Sequence, residues 1–282
     1  MPARNHMVRV GKTLLTGLLC AFHFAWLAMP TAGAKPQQDR VPKKRLPVLT
    51  RVEQIRNLTG EEARRGYPVH LRGVITYNLP EFGVTFFQDS TFGIFVYTVG
   101  APSEARAGDL VEVRGVTGPG DFAPVVDRPQ IRVLGHTPLP PAHRFHLEDL
   151  LTGEEDSQWV EVGGIVHSVG FESRLPPDMR EGPPSLVLGI AAGHNKFKAR
   201  IGEFQPAANY TYLIDAVVTV RGACGTLFND KRQLLGIQLF VPNLDQVHIE
   251  EGAPSDPYTL PIVPTSSLMQ FTREKVSRSE AT

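Results

Sequence analysis

The amino-acid sequence predicts an all-β protein with short helices, built as two tandem five-stranded barrels. Proline and glycine are frequent, at 24 and 26 of the 282 residues. The apolar runs between them are only about four to eight residues long, which is typical of short strands joined by turns. A set of sequence blocks also occurs twice in the same order, which indicates two copies of one unit.

The repeat begins with LTGEE, found at 58–62 and again at 151–155. Further on, VEVRGVTG at 111–118 matches VTVRGACG at 218–225, with five identical residues. Two further matches fall in the first strand of each unit: Val69 aligns with Val160, and Gly73 aligns with Gly164. The offset grows from 93 and 91 residues to 107, so the second unit contains about sixteen extra residues. We infer a duplication.

Each unit is predicted to consist of a short lead-in helix followed by five strands. In the first unit the lead-in is LTRVEQIRNLTGEE, and the strands are VHLRGVIT, VTFFQDS, FGIFVYT, LVEVRGV and QIRVLG. Each strand has alternating or compact apolar character. Five short antiparallel strands avoid open edges best by closing into a small barrel. The predicted barrels span 49–138 and 139–250, and a proline-containing tail covers 251–282.

The N-terminus has the order of a secretory signal. Basic residues precede an apolar run from Thr13 to Met29, and small residues follow it; the basic residues are Arg4, Arg9 and Lys12. This order predicts cleavage near Ala34 and a periplasmic or secreted protein. A basic, proline-containing linker would then cover 35–48. The run of 17 residues is at the short limit for a membrane span, so an uncleaved anchor is the alternative.

Removal of that segment changes the charge. All 29 acidic residues lie after Ala34, and three of the 29 basic ones lie before it. The mature chain therefore carries 26 basic residues against 29 acidic ones, a net charge of about −3, which excludes a polyanion binder that works by bulk charge. Cys224 is the one cysteine after Ala34, so the mature chain has no intramolecular disulfide.

Two stretches of the first unit resemble a known fold. FFQDSTFGIFV and GDLVEVRGV are similar to the hairpin and fourth strand of the OB-fold, especially in bacterial extracytoplasmic OB-fold proteins. A longer pattern consists of the lead-in helix, the hairpin, GDLVEVRG and PGDFAPVV. Over about 49–271 it resembles tandem OB-like repeats in the extracytoplasmic N-terminal region of certain bacterial sensor histidine kinases. The resemblance implies two OB-like barrels and a sensory or binding module.

No motif for catalysis or a cofactor occurs in the chain, so we expect a protein that is not an enzyme and holds no cofactor. His143 and His146, with Glu148 and Asp149, lack a second ligand cluster and do not predict a metal site. The thiol of Cys224 is expected to pack in the interior. In the QDST turn, Asp89 and Gly93 are expected to serve the hairpin itself.

Aromatic residues concentrate on one side of the second and third strands. If Phe87, Ile94 and Val96 point into the barrel, their neighbours point outward. The outward or strand-end aromatic residues are candidate binding residues: Phe82, Phe86, Phe92, Phe95 and Tyr97. They either pack on the lead-in helix or second barrel, or they form a platform for a partner or for stacking.

The corresponding strand of the second unit carries positive charge. KFKARIG places Lys196, Lys198 and Arg200 on the face opposite its apolar residues. The row is either a solvated strand edge or a ridge that binds an anion.

Two functions therefore follow from the sequence. The first is an extracytoplasmic binding or sensory module that engages a protein partner or small ligand through the outer barrel face. The alternative is binding of single-stranded nucleic acid, or another polyanion such as an acidic glycan, through the same face. Near-neutral charge and the receptor resemblance favour the first.

Overall fold

The computed structural model describes residues 45–254 except 102, 176–179, 230 and 232. All described residues belong to one compact unit, Arg45–Thr282. The predicted signal, most of the linker and the tail beyond 254 lie outside the described residues. Within the described ranges, no helix has the length and apolarity needed to cross a membrane.

The first half of the chain forms a closed five-stranded barrel, here called barrel 1. Its helices and strands are α1 (Val52–Arg56), α2 (Gly60–Ala63), β1 (Pro68–Leu79), β2 (Val84–Gln88), β3 (Gly93–Tyr97), β4 (Asp109–Gly118) and β5 (Val125–His136). The strand order around the barrel is β1-β2-β3-β5-β4. All pairs are antiparallel except β3 with β5.

The second half, barrel 2, repeats this arrangement. Its helix and strands are β6 (His143–Arg144), α3 (Leu147–Leu150), β7 (Trp159–Leu175), β8 (Arg180–Ala192), β9 (Asn195–Glu203), β10 (Val217–Phe228), β11 (Leu234–Asn243) and β12 (Val247–Glu251). The order β7-β8-β9-β11-β10 closes because β10 also pairs with β7, and β9 runs parallel to β11. Both halves are OB-like barrels, and the predicted fold class is confirmed.

The duplication extends to the register of the strands. In barrel 1, Gly73 of β1 lies opposite Val111 of β4. In barrel 2, Gly164 lies opposite Val218, which are the residues aligned with them in sequence. The same backbone pairs therefore close both barrels.

The strand register shows a further repeated element, the strand that pairs with the start of β4 in barrel 1 and of β10 in barrel 2. Between Leu110 and Val111 the register on β5 shifts from Gly135 to Val133. On β12 the same shift runs from Glu251 to Ile249, opposite the aligned pair Val217 and Val218. β12 therefore completes the barrel as the second half of β5 does. Sequence identity in this block is too low for detection without the register.

Gly73 and Gly164 have the same steric role. A Cβ on Gly73 would lie 2.3 Å from the carbonyl oxygen of Gln88, and one on Gly164 would lie 2.6 Å from that of Ala191. In each barrel the first strand therefore passes too close to the second for any larger residue.

Each barrel has its own apolar interior. Buried residues of barrel 1 include Leu71, Ile75, Phe87, Ile94 and Val113. Buried residues of barrel 2 include Val162, Leu188, Ile190, Phe197 and Leu239. The lead-in helices close one end of each interior with Ile55 of α1 and with Leu147 and Leu150 of α3.

A third cluster joins the two barrels, and we call it the aromatic seam. Its large members are Tyr77, Phe82, Phe86, Trp159 and Phe240. The Phe86 and Phe240 rings, one from each barrel, have centroids 5.0 Å apart. Barrel 2 thereby covers the outer face of β2 and part of that of β3, where Phe95 is half-buried and Tyr97 is exposed.

Polar contacts fix the same junction. The Trp159 amide donates to Gln88 Oε1 at 2.8 Å, and the Gly93 amide donates to Gln158 Oε1 at 3.1 Å. A Cβ on Gly93 would lie 2.0 Å from the Ser157 carbonyl oxygen. Glycine is thus required at 93 because the backbone of barrel 2 passes close to it. The sequence analysis expected Gly93 to serve the hairpin, and the structure shows that it also serves the junction of the two barrels.

Candidate nucleic-acid interface

The predicted aromatic platform is largely internal. Phe82 and Phe86 are 1% and 3% exposed in the aromatic seam, and Phe95 is half-buried beside them. Tyr97 and Phe92, at 47% and 38% exposure, remain at the surface. The five aromatic side chains therefore do not form one open surface, because barrel 2 packs on that side of barrel 1.

The predicted basic row on β9 points outward, with Phe197 in the core as expected. Arg200 is fully buried and its Nη2 donates to Glu172 Oε2 at 3.0 Å. Lys198 Nζ lies 2.6 Å from Glu172 Oε1. Lys196 is exposed. The row is therefore not three exposed charges, since Arg200 is buried and Glu172 neutralises part of the remainder.

The other candidate residues have structural roles. Asp89 accepts hydrogen bonds within its hairpin and also from the Val52 amide, at 2.8 Å, which ties the hairpin to α1. Cys224 is buried, and burial raises the pKa of its thiol. Among the described residues, no group of three or more His, Cys, Asp and Glu could hold a metal ion.

Positive side chains gather instead on the outward face of β1, β4 and β5, on three neighbouring strands. In one row, Arg72 faces Glu112, which faces Arg132. In the adjacent row, His70 faces Arg114. We call these five residues the basic face. The side chains of Arg114 and Arg132 are 62% and 72% exposed, and Arg72 is also exposed.

Glu112 lies at the centre of the basic face and organises it. Its Oε1 is 2.6 Å from His70 Nε2 and accepts from Arg114 Nε at 2.8 Å. Its Oε2 accepts from Arg132 Nε at 3.1 Å and also from Nη2 of the same guanidinium. Arg72 has no ion-pair partner within the described part of the chain. One carboxylate therefore positions two arginines and leaves the third free.

The two guanidinium groups hold Glu112 in its charged form. Hydrogen bonds from Arg132 and then Arg114 lower the pKa of Glu112 to about 2. A glutamate in the unfolded chain has a pKa of about 4.3. Ionised Glu112 therefore stabilises the fold above that unfolded value, and this contribution is lost as the pH falls toward the folded value.

We predict that Glu112→Gln lowers the stability of the protein at neutral pH and that the difference from the wild type closes between about pH 4.5 and about pH 2. Urea denaturation at several pH values measures this. Glu61→Gln, at an exposed position, controls for the loss of one negative charge. A difference that stays constant down to about pH 2 would contradict the assigned contacts.

Barrel 2 provides an internal comparison, since its aligned positions carry little charge. The residues in the places of His70, Arg72, Glu112, Arg114 and Arg132 are Glu161, Gly163, Thr219, Arg221 and His248. With histidine counted as neutral, these five positions hold three arginines and one glutamate in barrel 1, a net charge of +2. In barrel 2 they hold one arginine and one glutamate, a net charge of 0. The fold does not require the positive charge, so barrel 1 carries it as a feature of its own.

Sequence reasoning missed the basic face because its residues come from three separate strands. HLR, EVR and IRV each contain isolated charges, and alternation places them on the outer side of each strand. The alternation was visible in the sequence. The register that brings Arg72, Glu112 and Arg132 into one row was not.

No family model matches this chain, and no curated protein matches it in sequence. Solved structures are similar at low identity. A murine DNA-binding protein bound with double-stranded DNA is 10% identical, with a TM-score of 0.29, over 67% of this chain and 97% of that one. The p202 HIN1 domain in complex with a 12-mer double-stranded DNA is 9% identical, with a TM-score of 0.28, over 66% and 92%.

Replication Protein A, as a heterotrimer bound to single-stranded DNA, is 12% identical, with a TM-score of 0.27, over 73% of this chain and 52% of that one. At these values the likeness carries no argument about what this chain binds. The resemblance to sensor histidine kinase regions finds no support in these comparisons.

The first function predicted from the sequence is wrong. It required the outer face of β2 and β3 to engage a protein partner or small ligand, and barrel 2 covers the part of that face around Phe82 and Phe86. The alternative, binding of single-stranded nucleic acid or another polyanion, is predicted from the sequence on the same face. The surface proposed for that alternative also changes, since the exposed charge lies on β1, β4 and β5.

Proposed function

We propose that this protein is a non-catalytic, nucleic-acid-binding protein that contacts the phosphate backbone through the basic face of barrel 1. The observation that carries the proposal is the cluster of three exposed arginines, one on each of β1, β4 and β5. Arginine is suited to this role because it stays charged and offers several N–H donors to phosphate oxygens.

The spacing of the basic face suits a charged polymer. Neighbouring strands lie about 4.8 Å apart, so the backbones that carry Arg72 and Arg132 are about 10 Å apart. Arg114, on the strand between them, is offset along the strand by one outward position. The three arginines therefore form a triangle on rigid strands, which can meet more than one phosphate of the same backbone.

Local charge explains how a chain with a net charge near zero can bind a polyanion. The Debye length at physiological ionic strength is about 8 Å, so distant acidic groups at the surface are largely screened. The charges that matter are those at the contact, where the basic face has net +2. Counterion release from the nucleic acid then supplies the binding free energy.

A pair of matched variants tests this proposal. Arg72→Gln combined with Arg132→Gln removes two exposed charges from the basic face. Lys196→Gln combined with Arg221→Gln removes two exposed charges from barrel 2. At about 0.1 M salt, loss of two phosphate contacts should weaken binding of a fluorescent DNA about 50-fold, and the barrel 2 variant should stay within about twofold of the wild type.

Circular dichroism and thermal unfolding confirm that both variants are folded before binding is measured. Equal losses in the two variants would contradict a defined face and indicate only a general charge effect. A larger loss in the barrel 2 variant would place the binding surface on that barrel instead.

The proposal also places the protein outside the cytoplasm. The order of basic, apolar and small residues up to Ala34 supports this location. That segment lies outside the described residues. Fractionation of cells that express the full chain, with N-terminal sequencing of the exported form, tests the location and the cleavage site.

A further inference from the structure

We propose that the basic face recognises the backbone of double-stranded nucleic acid, independently of base sequence, rather than unpaired bases. This inference rests on the proposed function and names the class of nucleic acid. It follows from which chemical groups the face presents and which of their donors are already engaged.

The basic face presents no phenylalanine, tyrosine or tryptophan, and its one ring is the His70 imidazole, which lies 2.6 Å from Glu112 Oε1 through Nε2. The outward residues of its two rows are histidine, arginine, glutamate and Gln130. Tyr67, just before β1, is half-buried against the core of barrel 1, and the Arg65 guanidinium lies over its ring at 5.4 Å. Proteins that hold single strands use exposed aromatic side chains on which bases stack, worth about 1–3 kcal/mol per base. The basic face lacks that contribution.

The exposed aromatic residues lie elsewhere on barrel 1. Tyr97 is on β3 and Phe92 precedes that strand. Phe122 lies in the loop between β4 and β5, where its ring stacks on Phe228 of barrel 2 at 4.1 Å between centroids. In the strand order β1-β2-β3-β5-β4, β3 is separated by one strand from both β1 and β4. These rings are therefore not part of the basic face.

Two of the three arginines, Arg114 and Arg132, also have one edge of the guanidinium engaged by Glu112, whereas Arg72 has no ion-pair partner among the described residues. Arg114 directs both Nε and Nη2 at Glu112, at 2.8 and 2.7 Å. Arg132 directs the same two nitrogens at the other oxygen of that carboxylate. Recognition of guanine by arginine requires two parallel donors aimed at one base. Because that edge of Arg114 and of Arg132 is committed to Glu112, these two side chains are fixed in orientation, and they offer their charge and remaining N–H groups to a phosphate as Arg72 does.

A duplex supplies what this face can use. It carries one phosphate per about 1.7 Å of helix axis, against about 3.4 Å for each strand, and each neutralised phosphate releases more counterion from duplex than from single-stranded DNA. A face that gains affinity from charge alone should therefore prefer the duplex.

Competition binding with the full mature chain tests this inference. The probes are a duplex of about 20 base pairs, its two separated strands and a second duplex of unrelated sequence, all at about 0.1 M salt. We expect the duplex to bind at least about fivefold more tightly than either strand, and the two duplexes to agree within about twofold. Arg72→Gln should reduce the affinity for all probes.

Three outcomes would count against the inference or its basis. Tighter binding of a single strand, with fluorescence quenching by stacked bases, would overturn it while leaving nucleic-acid binding intact. A strong difference between the two duplexes would overturn the backbone-only mode. No binding of any probe would remove the proposed function itself, so the two failures are distinguishable.

Discussion

Phe86→Ala should destabilise the protein by about 3–5 kcal/mol, because it removes a buried aromatic ring from the junction of the two barrels. Phe86 is 3% exposed and its ring contacts Tyr77, Phe95 and Phe240. A cavity there loses contacts on both barrels at once. Urea denaturation followed by tryptophan fluorescence measures the change, since Trp159 lies in the same seam.

Phe92→Ala is the matched control, because Phe92 is 38% exposed at the tip of the same hairpin. Its effect should be within about 0.5 kcal/mol, as for most surface substitutions. Phe86→Leu should cost less than Phe86→Ala and keeps the junction measurable if the alanine variant does not fold. If Phe86→Ala were as mild as Phe92→Ala, the seam would not be a packed core.

Gly73→Ala and Gly164→Ala should each destabilise the fold by about 3 kcal/mol or prevent folding, because the new methyl group meets a backbone carbonyl that cannot move freely. The contact distances are 2.3 Å for the first and 2.6 Å for the second. The two costs should be similar, since the glycines occupy the same place in a duplicated fold. Chemical denaturation of the single variants measures both.

Gly170→Ala is the control for this pair. Gly170 is also in a β-strand, but a Cβ there would meet no atom within 4 Å. The substitution should be neutral or stabilise by about 0.5 kcal/mol, because alanine loses less backbone entropy on folding than glycine. A cost equal to that of Gly73→Ala would mean that close approach is not the cause.

Most of the fold could be predicted from the sequence because the chain repeats itself. Aligned blocks at 111–118 and 218–225 defined the fourth strand of each barrel, and both strands occur there. β12 was not predicted, because its likeness to the second half of β5 is in backbone register rather than in residues.

The candidate site was harder to predict. Alternation placed Phe86 on the outside of barrel 1, but no local pattern tells whether another domain covers that side. The same limit applied to Arg200, which points outward from barrel 2 and is nevertheless buried. The basic face required a register across three strands, and the sequence alone did not provide it.

The measurement that tests the central claim most directly is the salt dependence of duplex binding by the wild-type chain. Three phosphate contacts predict a slope of about −2.7 in a plot of log K against log salt, so affinity should fall about 40-fold between about 50 and about 200 mM salt. Arg72→Gln should reduce the magnitude of the slope by about one unit. Binding that does not change with salt, or no binding at the lower concentration, would contradict a nucleic-acid interface on the basic face.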